Sequence, residues 1–218
     1  MQDIQRILDS RFYRDPTLPP LQVERTEGVR IHLVGGHSVI DASSGPMGVN
    51  IGYGRPEVIE AARAAMEQHS YVLPFFGCEP RMDLVDTIRR FMPPSLTRVF
   101  LTSGGTEALE GAVATARQIH VARGESDRHV VLGRQLSYHG TSLGMLSVGD
   151  SPRWKKHHEP YLFGWPKIPM SRASWTPLGP PTGEAPLASL DVLEEVIEDV
   201  GAHRISAFVT EPIGAAMS

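Results

Sequence analysis

The stretch Val99-Phe100-Leu101-Thr102-Ser103-Gly104-Gly105-Thr106-Glu107-Ala108 constrains this chain more than any other. A short apolar run meets two glycines. From Thr106 onward a helical pattern begins, carrying Leu109, Ala112, Val113, Ala116 and Ile119. Strand, glycine turn, helix leaves the first-turn amides without intrahelical partners, at the positive end of the helix dipole. That end favours an anion such as a phosphate, and a hydroxyl like that of Thr106 adds a donor. The plainer reading is a tight turn capped by Ser103. The phosphate reading is preferred because the turn follows a strand and opens an apolar-faced helix. No lysine follows the second glycine, as a P-loop requires, and the G-x-G-x-x-G of a dinucleotide fold is missing.

The rest of the sequence extends this pattern. A strand is expected over about Arg98 to Thr102, another over His129 to Leu132, and a third over Ile205 to Thr210. Helices are marked by the series from Leu109 to Ile119 and by Leu190, Leu193, Val196, Ile197 and Val200. Alternation of this kind predicts an α/β fold, a mainly parallel sheet with flanking helices. Ligands of such sheets bind at the carboxyl ends of strands. Ser103-Gly104, Ser137-Tyr138-His139 and Thr210-Glu211 each follow an expected strand and are expected to converge on one rim.

Before Arg98, Val29 to Asp41 reads as a hairpin turning at Gly35-Gly36, broken by Ser43-Ser44-Gly45-Pro46. Asn50 to Pro56 reads as a glycine-rich loop opening a helix with Val58, Ile59, Ala62, Ala65 and Met66 on one face. A second helix is expected from about Arg81 to Phe91, with Leu84, Val85 and Ile88 inward. Residues 152–186 hold eight prolines and all three tryptophans, which reads as an ordered interface segment rather than a disordered one.

Composition narrows the function classes. The formal charge of −4 gives no reason to expect nucleic acid or an anionic membrane as a partner. A single cysteine, Cys78, excludes an intramolecular disulfide and reads as a small apolar filler. The start of the sequence does not read as a secretory signal, and no apolar run approaches the ~20 residues of a membrane span. The expectation is a cytoplasmic protein. No histidines stand at metal-ligand spacing, so no metal is expected.

Two further positions carry candidate chemistry. Tyr138-His139-Gly140 offers an aromatic plane that can stack on a flat heterocycle, beside a glycine that gives the ring access; a buried aromatic and a satisfied histidine is the plainer alternative. Glu211, ahead of Pro212, is either a polar contact to a ligand or a solvated turn carboxylate.

Together these features resemble the class III aminotransferases, pyridoxal-phosphate enzymes of the aspartate-aminotransferase-like fold (PLP-dependent transferase fold type I). The hairpin Val29 to Asp41, the loop Asn50-Ile51-Gly52-Tyr53-Gly54-Arg55-Pro56-Glu57-Val58, the turn Thr102 to Ala108, the pair Ala116-Arg117, the segment Tyr138-His139-Gly140-Thr141 and the pair Glu211-Pro212 follow the family order. The resemblance implies pyridoxal 5′-phosphate as cofactor. It implies that Gly105 and Thr106 hold its phosphate, with Ser103, Gly104 and His139 also among the cofactor-binding residues, that Tyr138 covers one ring face, and that Glu211 sits near the ring hydroxyl or the substrate. It also implies that residues 1–45 belong to the small domain and 46–218 to the large, cofactor-binding domain.

The family loop often carries histidines where Tyr53 and Arg55 stand here. The family's Asp at the pyridine nitrogen and its Schiff-base lysine both come after the Glu-Pro pair. The three lysines, Lys155, Lys156 and Lys167, do not occupy that place. The resemblance therefore implies an N-terminal part of an aminotransferase, a fragment or split subunit. It would act on an amino donor and a keto acid as a homodimer or with a complementary C-terminal half. A non-catalytic cofactor- or partner-binding module and an aminomutase of the same family are the alternatives.

Overall fold

A computed structural model describes residues 21–169 and 190–212. The chain divides into two compact units at Thr97/Arg98, each taken by itself below.

In the first unit, β1 (Val23–Glu27), β2 (Arg30–Leu33) and β3 (Ser38–Ile40) form an antiparallel sheet in that order. The expected hairpin is β2–β3. Its turn places Gly35 and Gly36 at φ +102° and +86°, a region that suits glycine. Strand β1 was not expected: its sequence, VERTE, shows no apolar alternation and every residue is exposed. The Ser43–Pro46 break contains a short helix, α1 (Ser44–Met47). Asp41 ties this corner together. Its Oδ2 accepts from the Tyr53 hydroxyl and the Gly45 amide, each at 2.7 Å, and its Oδ1 accepts from the Ser43 amide at 3.0 Å. The Tyr53 hydroxyl is the main reason the Asp41 carboxyl is held below its ordinary range.

Helix α2 (Pro56–Gln68) opens on the expected proline, and α3 (Glu79–Arg89) follows. Neither has a buried side chain. Val58, Ile59 and Met66 are 51, 59 and 69% exposed, so these members of the apolar face of α2 have little cover within this unit.

The second unit holds all the described core. Its elements are α4 (Gly105–Ala122), β4 (Val130–Arg134), α5 (Leu143–Val148), α6 (Pro152–Lys155), β5 (Lys167–Ile168), α7 (Leu190–Val200) and β6 (Ile205–Phe208). The sheet order is β5-β4-β6, with β4 parallel to both neighbours. Alternation along β4 explains the layering. Val130 and Leu132 pack with Ile168 against Leu193, Val196, Ile197 and Val200 of α7. Val131 faces the other way, onto Met145 and Val148 of α5 and Leu109 and Val113 of α4. Gly133 is required where β4 passes α5, because a Cβ there would collide with the Val148 carbonyl.

The strand expected over Arg98 to Thr102 is not one. These residues form no ladder among the described residues, and Phe100 is 81% exposed. An apolar run supplies the side chains of a strand, but a strand exists only where a neighbour takes its backbone hydrogen bonds. Within the proline-rich stretch, β5 and α6 are ordered elements that sequence reading missed. Residues 170–189, with Trp175, lie outside the described residues.

At the amino ends of β4 and β6 the backbone is pinned by side chains. Arg128 Nη1 donates to the carbonyls of Ala202 (2.7 Å) and Ile205 (2.9 Å). Arg117 donates to the Arg128 carbonyl at 2.9 Å. His120 bridges Glu125 and the Ser206 carbonyl.

Candidate functional site

The site is built at the other end of the sheet. Strands β4 and β6 run parallel, so their carboxyl ends share a rim. Beyond β4, Ser137 and His139 are buried while the Tyr138 ring is exposed. Beyond β6 comes Glu211. The two loops meet directly: the Tyr138 amide donates to Glu211 Oε1 at 2.7 Å.

The glycine turn reaches the same place. Helix α4 starts one residue earlier than the pattern suggested, with Gly104 as its cap. The first intrahelical bond runs from the Ala108 amide to the Gly104 carbonyl (3.0 Å), so the amides of Gly105 and Thr106 precede it. A Cβ built at Gly104 or Gly105 would meet nothing within 4 Å. The turn is an open backbone surface onto which a ligand can close. Ser103 differs from its neighbours: its amide donates to Glu107 Oε2 at 2.9 Å, a one-way tie from the first helical turn back to the residue before the Gly104 cap. On the inner side, Gly140 lies against Thr106. At 140 a Cβ would come within 2.9 Å of Thr106 Cγ2, and φ is +126°. Thr106, Gly140, Tyr138 and Glu211 are therefore linked through two close contacts and one stretch of backbone.

His139 sits beneath this surface, 6% exposed, and its Nε2 has no hydrogen-bond partner. Burial pushes its pKa below the ordinary imidazole value; Glu211 opposes that shift and Lys167 adds to it. The satisfied-histidine alternative does not describe it.

The lysines have local roles. Lys155 pairs with Asp150 at 3.0 Å, and Lys156 is exposed. Lys167 Nζ donates to the carbonyls of Ser147 (2.6 Å) and Trp165 (2.9 Å). Burial, more than the charge of Lys155, lowers the Lys167 pKa to about 8. Sequence reading had treated Lys167 as no different from the Lys155-Lys156 pair. It also passed over Glu110, whose carboxylate accepts from Ser142 Oγ.

A family model, aminotransferase class-III, matches residues 13–217. The chain belongs to the class III aminotransferases. A probable aminotransferase of Mycobacterium tuberculosis is 35% identical over 192 residues, which cover 88% of this chain and 41% of that protein. A putrescine–pyruvate aminotransferase of Pseudomonas aeruginosa is 30% identical over 220 residues, covering 93% of this chain and 48% of that protein. Among solved structures, an (S)-enantioselective omega-transaminase from Thermomicrobium roseum superposes with a TM-score of 0.87 at 30% identity, over 98% of this chain and 49% of that one. A PLP-bound amine transaminase from an uncultivated Pseudomonas species gives 0.77 at 27% identity, over 94% and 49%. The fold is that of the fold type I PLP-dependent transferases. The chain spans about half the length of these class III relatives.

Proposed function

We propose that this chain supplies the phosphate cup and one ring face of a pyridoxal 5′-phosphate site, in an enzyme that moves an amino group between an amine and a keto acid. The carrying observation is the link from Thr106 through Gly140 and Tyr138 to Glu211. It brings an open helix N-terminus, an exposed aromatic ring and a carboxylate to one rim. Relatives named for putrescine, taurine and pyruvate support an amine donor and a short keto acid acceptor.

The residues present fit the cofactor. The amides of Gly105 and Thr106 and the Thr106 hydroxyl bind the phosphate dianion, helped by the helix dipole. Gly104 lets the backbone approach closely. Ser103 contributes its hydroxyl, since its amide is engaged by Glu107. The Tyr138 ring covers one face of the heterocycle and keeps water from it. His139 backs the ring-bearing loop from inside. Glu211 accepts from the Tyr138 amide and stands near the ring hydroxyl or the substrate. When bound, the cofactor supplies an electron sink for charge developing at the substrate carbon.

Residues 1–45 belong, in this reading, to a small domain and the remainder to the cofactor-binding domain. The enzyme works in the cytoplasm, as a homodimer or together with a complementary C-terminal half. Among the described residues no helix is long and apolar enough to cross a membrane.

Titration of the full-length protein with pyridoxal 5′-phosphate tests the reading. Loss of one charge-assisted hydrogen bond predicts about tenfold weaker binding for Thr106→Ala. Equal affinity of variant and parent would overturn the phosphate assignment.

A further inference from the structure

Thr106 and Glu110 stand four residues apart on α4, and so share a face. Gly140 and Gly144 stand four apart across the way. The two pairs interlock. A Cβ at 140 would overlap the Thr106 side chain. A Cβ at 144 would lie 2.5 and 2.8 Å from the two carboxylate oxygens of Glu110. Between the notches, Ser142 Oγ donates to Glu110 Oε1 at 2.5 Å and accepts from the Met145 amide at 3.2 Å. Helix α4 therefore meets the 138–144 segment through two side chains seated where two side chains are missing, with a hydrogen bond locking the register.

The lower notch lies within the site; the upper one does not. Gly140 follows Tyr138 by two residues, and its partner Thr106 carries the hydroxyl assigned to phosphate. A slide of the segment along α4 would alter the gap between phosphate donor and ring plane. Thr106 alone does not prevent it, because a methyl and hydroxyl against a glycine is a contact without direction. The Glu110–Ser142 bond is directional, since a charged acceptor and a hydroxyl donor hold a fixed distance.

We infer that Glu110 is a positioning residue. Through Ser142 and the Gly144 notch it fixes the separation between the Thr106 hydroxyl and the Tyr138 ring, and so sets how well a ligand with both an anionic group and a flat ring is held. This rests on the cofactor reading above.

The test compares binding of pyridoxal 5′-phosphate and unphosphorylated pyridoxal to the full-length protein, with hydrogen exchange over residues 138–142 and a thermal midpoint. Glu110→Ala is expected to cut the preference for the phosphorylated ligand about fivefold or more and to speed exchange over 138–142. Glu110→Gln, which keeps an acceptor of the same shape, is expected to stay within about twofold of the parent. Ser142→Ala, a milder change, is expected to move both readouts the same way and serves if Glu110→Ala does not fold. A lowered midpoint with unchanged ligand preference in the variants would overturn the inference, leaving Glu110 a stability residue only. If the parent itself shows no preference for the phosphorylated ligand, the cofactor reading fails. Exchange then decides alone: faster exchange in the variants supports the lock, and unchanged exchange overturns it.

Discussion

An imidazole that is 6% exposed, with an unpartnered Nε2, is costly to protonate. The pKa of His139 is depressed in the folded state, chiefly by burial, with Lys167 adding and Glu211 opposing. The unfolded chain therefore binds a proton that the native state refuses. Stability from this group is complete above the ordinary value of 6.5 and is lost as pH falls through the lower folded value. The urea midpoint is expected to fall as pH drops below about 6.5, and His139→Gln is expected to flatten that dependence. An unchanged slope in the variant would mean that other groups set it. Glu110 is the second residue whose environment matters more than its identity. In sequence it is one acidic residue on a helix; in space it occupies the room left by a missing Cβ.

The elements were legible where one face of a helix is apolar over several turns. Helices α2, α3, α4 and α7 all show that period; the helix expected from about Arg81 to Phe91 is observed two residues earlier at each end, and the apolar series marked for the other three all fall inside the observed helices. Strand β4 was legible as a short continuous apolar run, the mark of a strand covered on both faces. Helix α5 was not, because its last four residues, Met145 to Val148, are all buried and leave no polar side to define a period. Strand β5 is only two residues long, too short for any pattern. The run before the glycine turn was misleading in the opposite sense, with the composition of a strand and no ladder. Tyr138-His139 and Glu211 were legible on the rim because the parallel strands β4 and β6 send their ends the same way, whereas the glycine turn reaches it without the strand expected before it; the glycine notches were not legible, since they depend on what lies opposite. Leu132, on β4 and 1% exposed, should be the costly deletion: Leu132→Ala is expected to lose about 2–5 kcal/mol in denaturant unfolding. A loss below about 1 kcal/mol would mean the sheet collapses around the void.

At the scale of the whole molecule, the pinned backbone and the proposed ligand rim occupy opposite ends of one sheet. The amino ends of β4 and β6 are held by Arg128, Arg117 and His120; the carboxyl ends carry Tyr138, His139 and Glu211. Arg128→Ala would strip donors from the Ala202 and Ile205 carbonyls, expected to lower unfolding stability by about 1–3 kcal/mol. Affinity for pyridoxal 5′-phosphate is expected to stay within about twofold, because the rim is left intact. Parallel loss of both would show that the two ends are coupled. The junction of the rim has one more implication. Glu211 grips residue 138 by its peptide nitrogen and not by its phenol, so the joint is indifferent to which side chain that position bears. Phenylalanine or tryptophan could stand there with the grip preserved, and the stacking surface can be retuned to a different ligand without dismantling the wall that supports it.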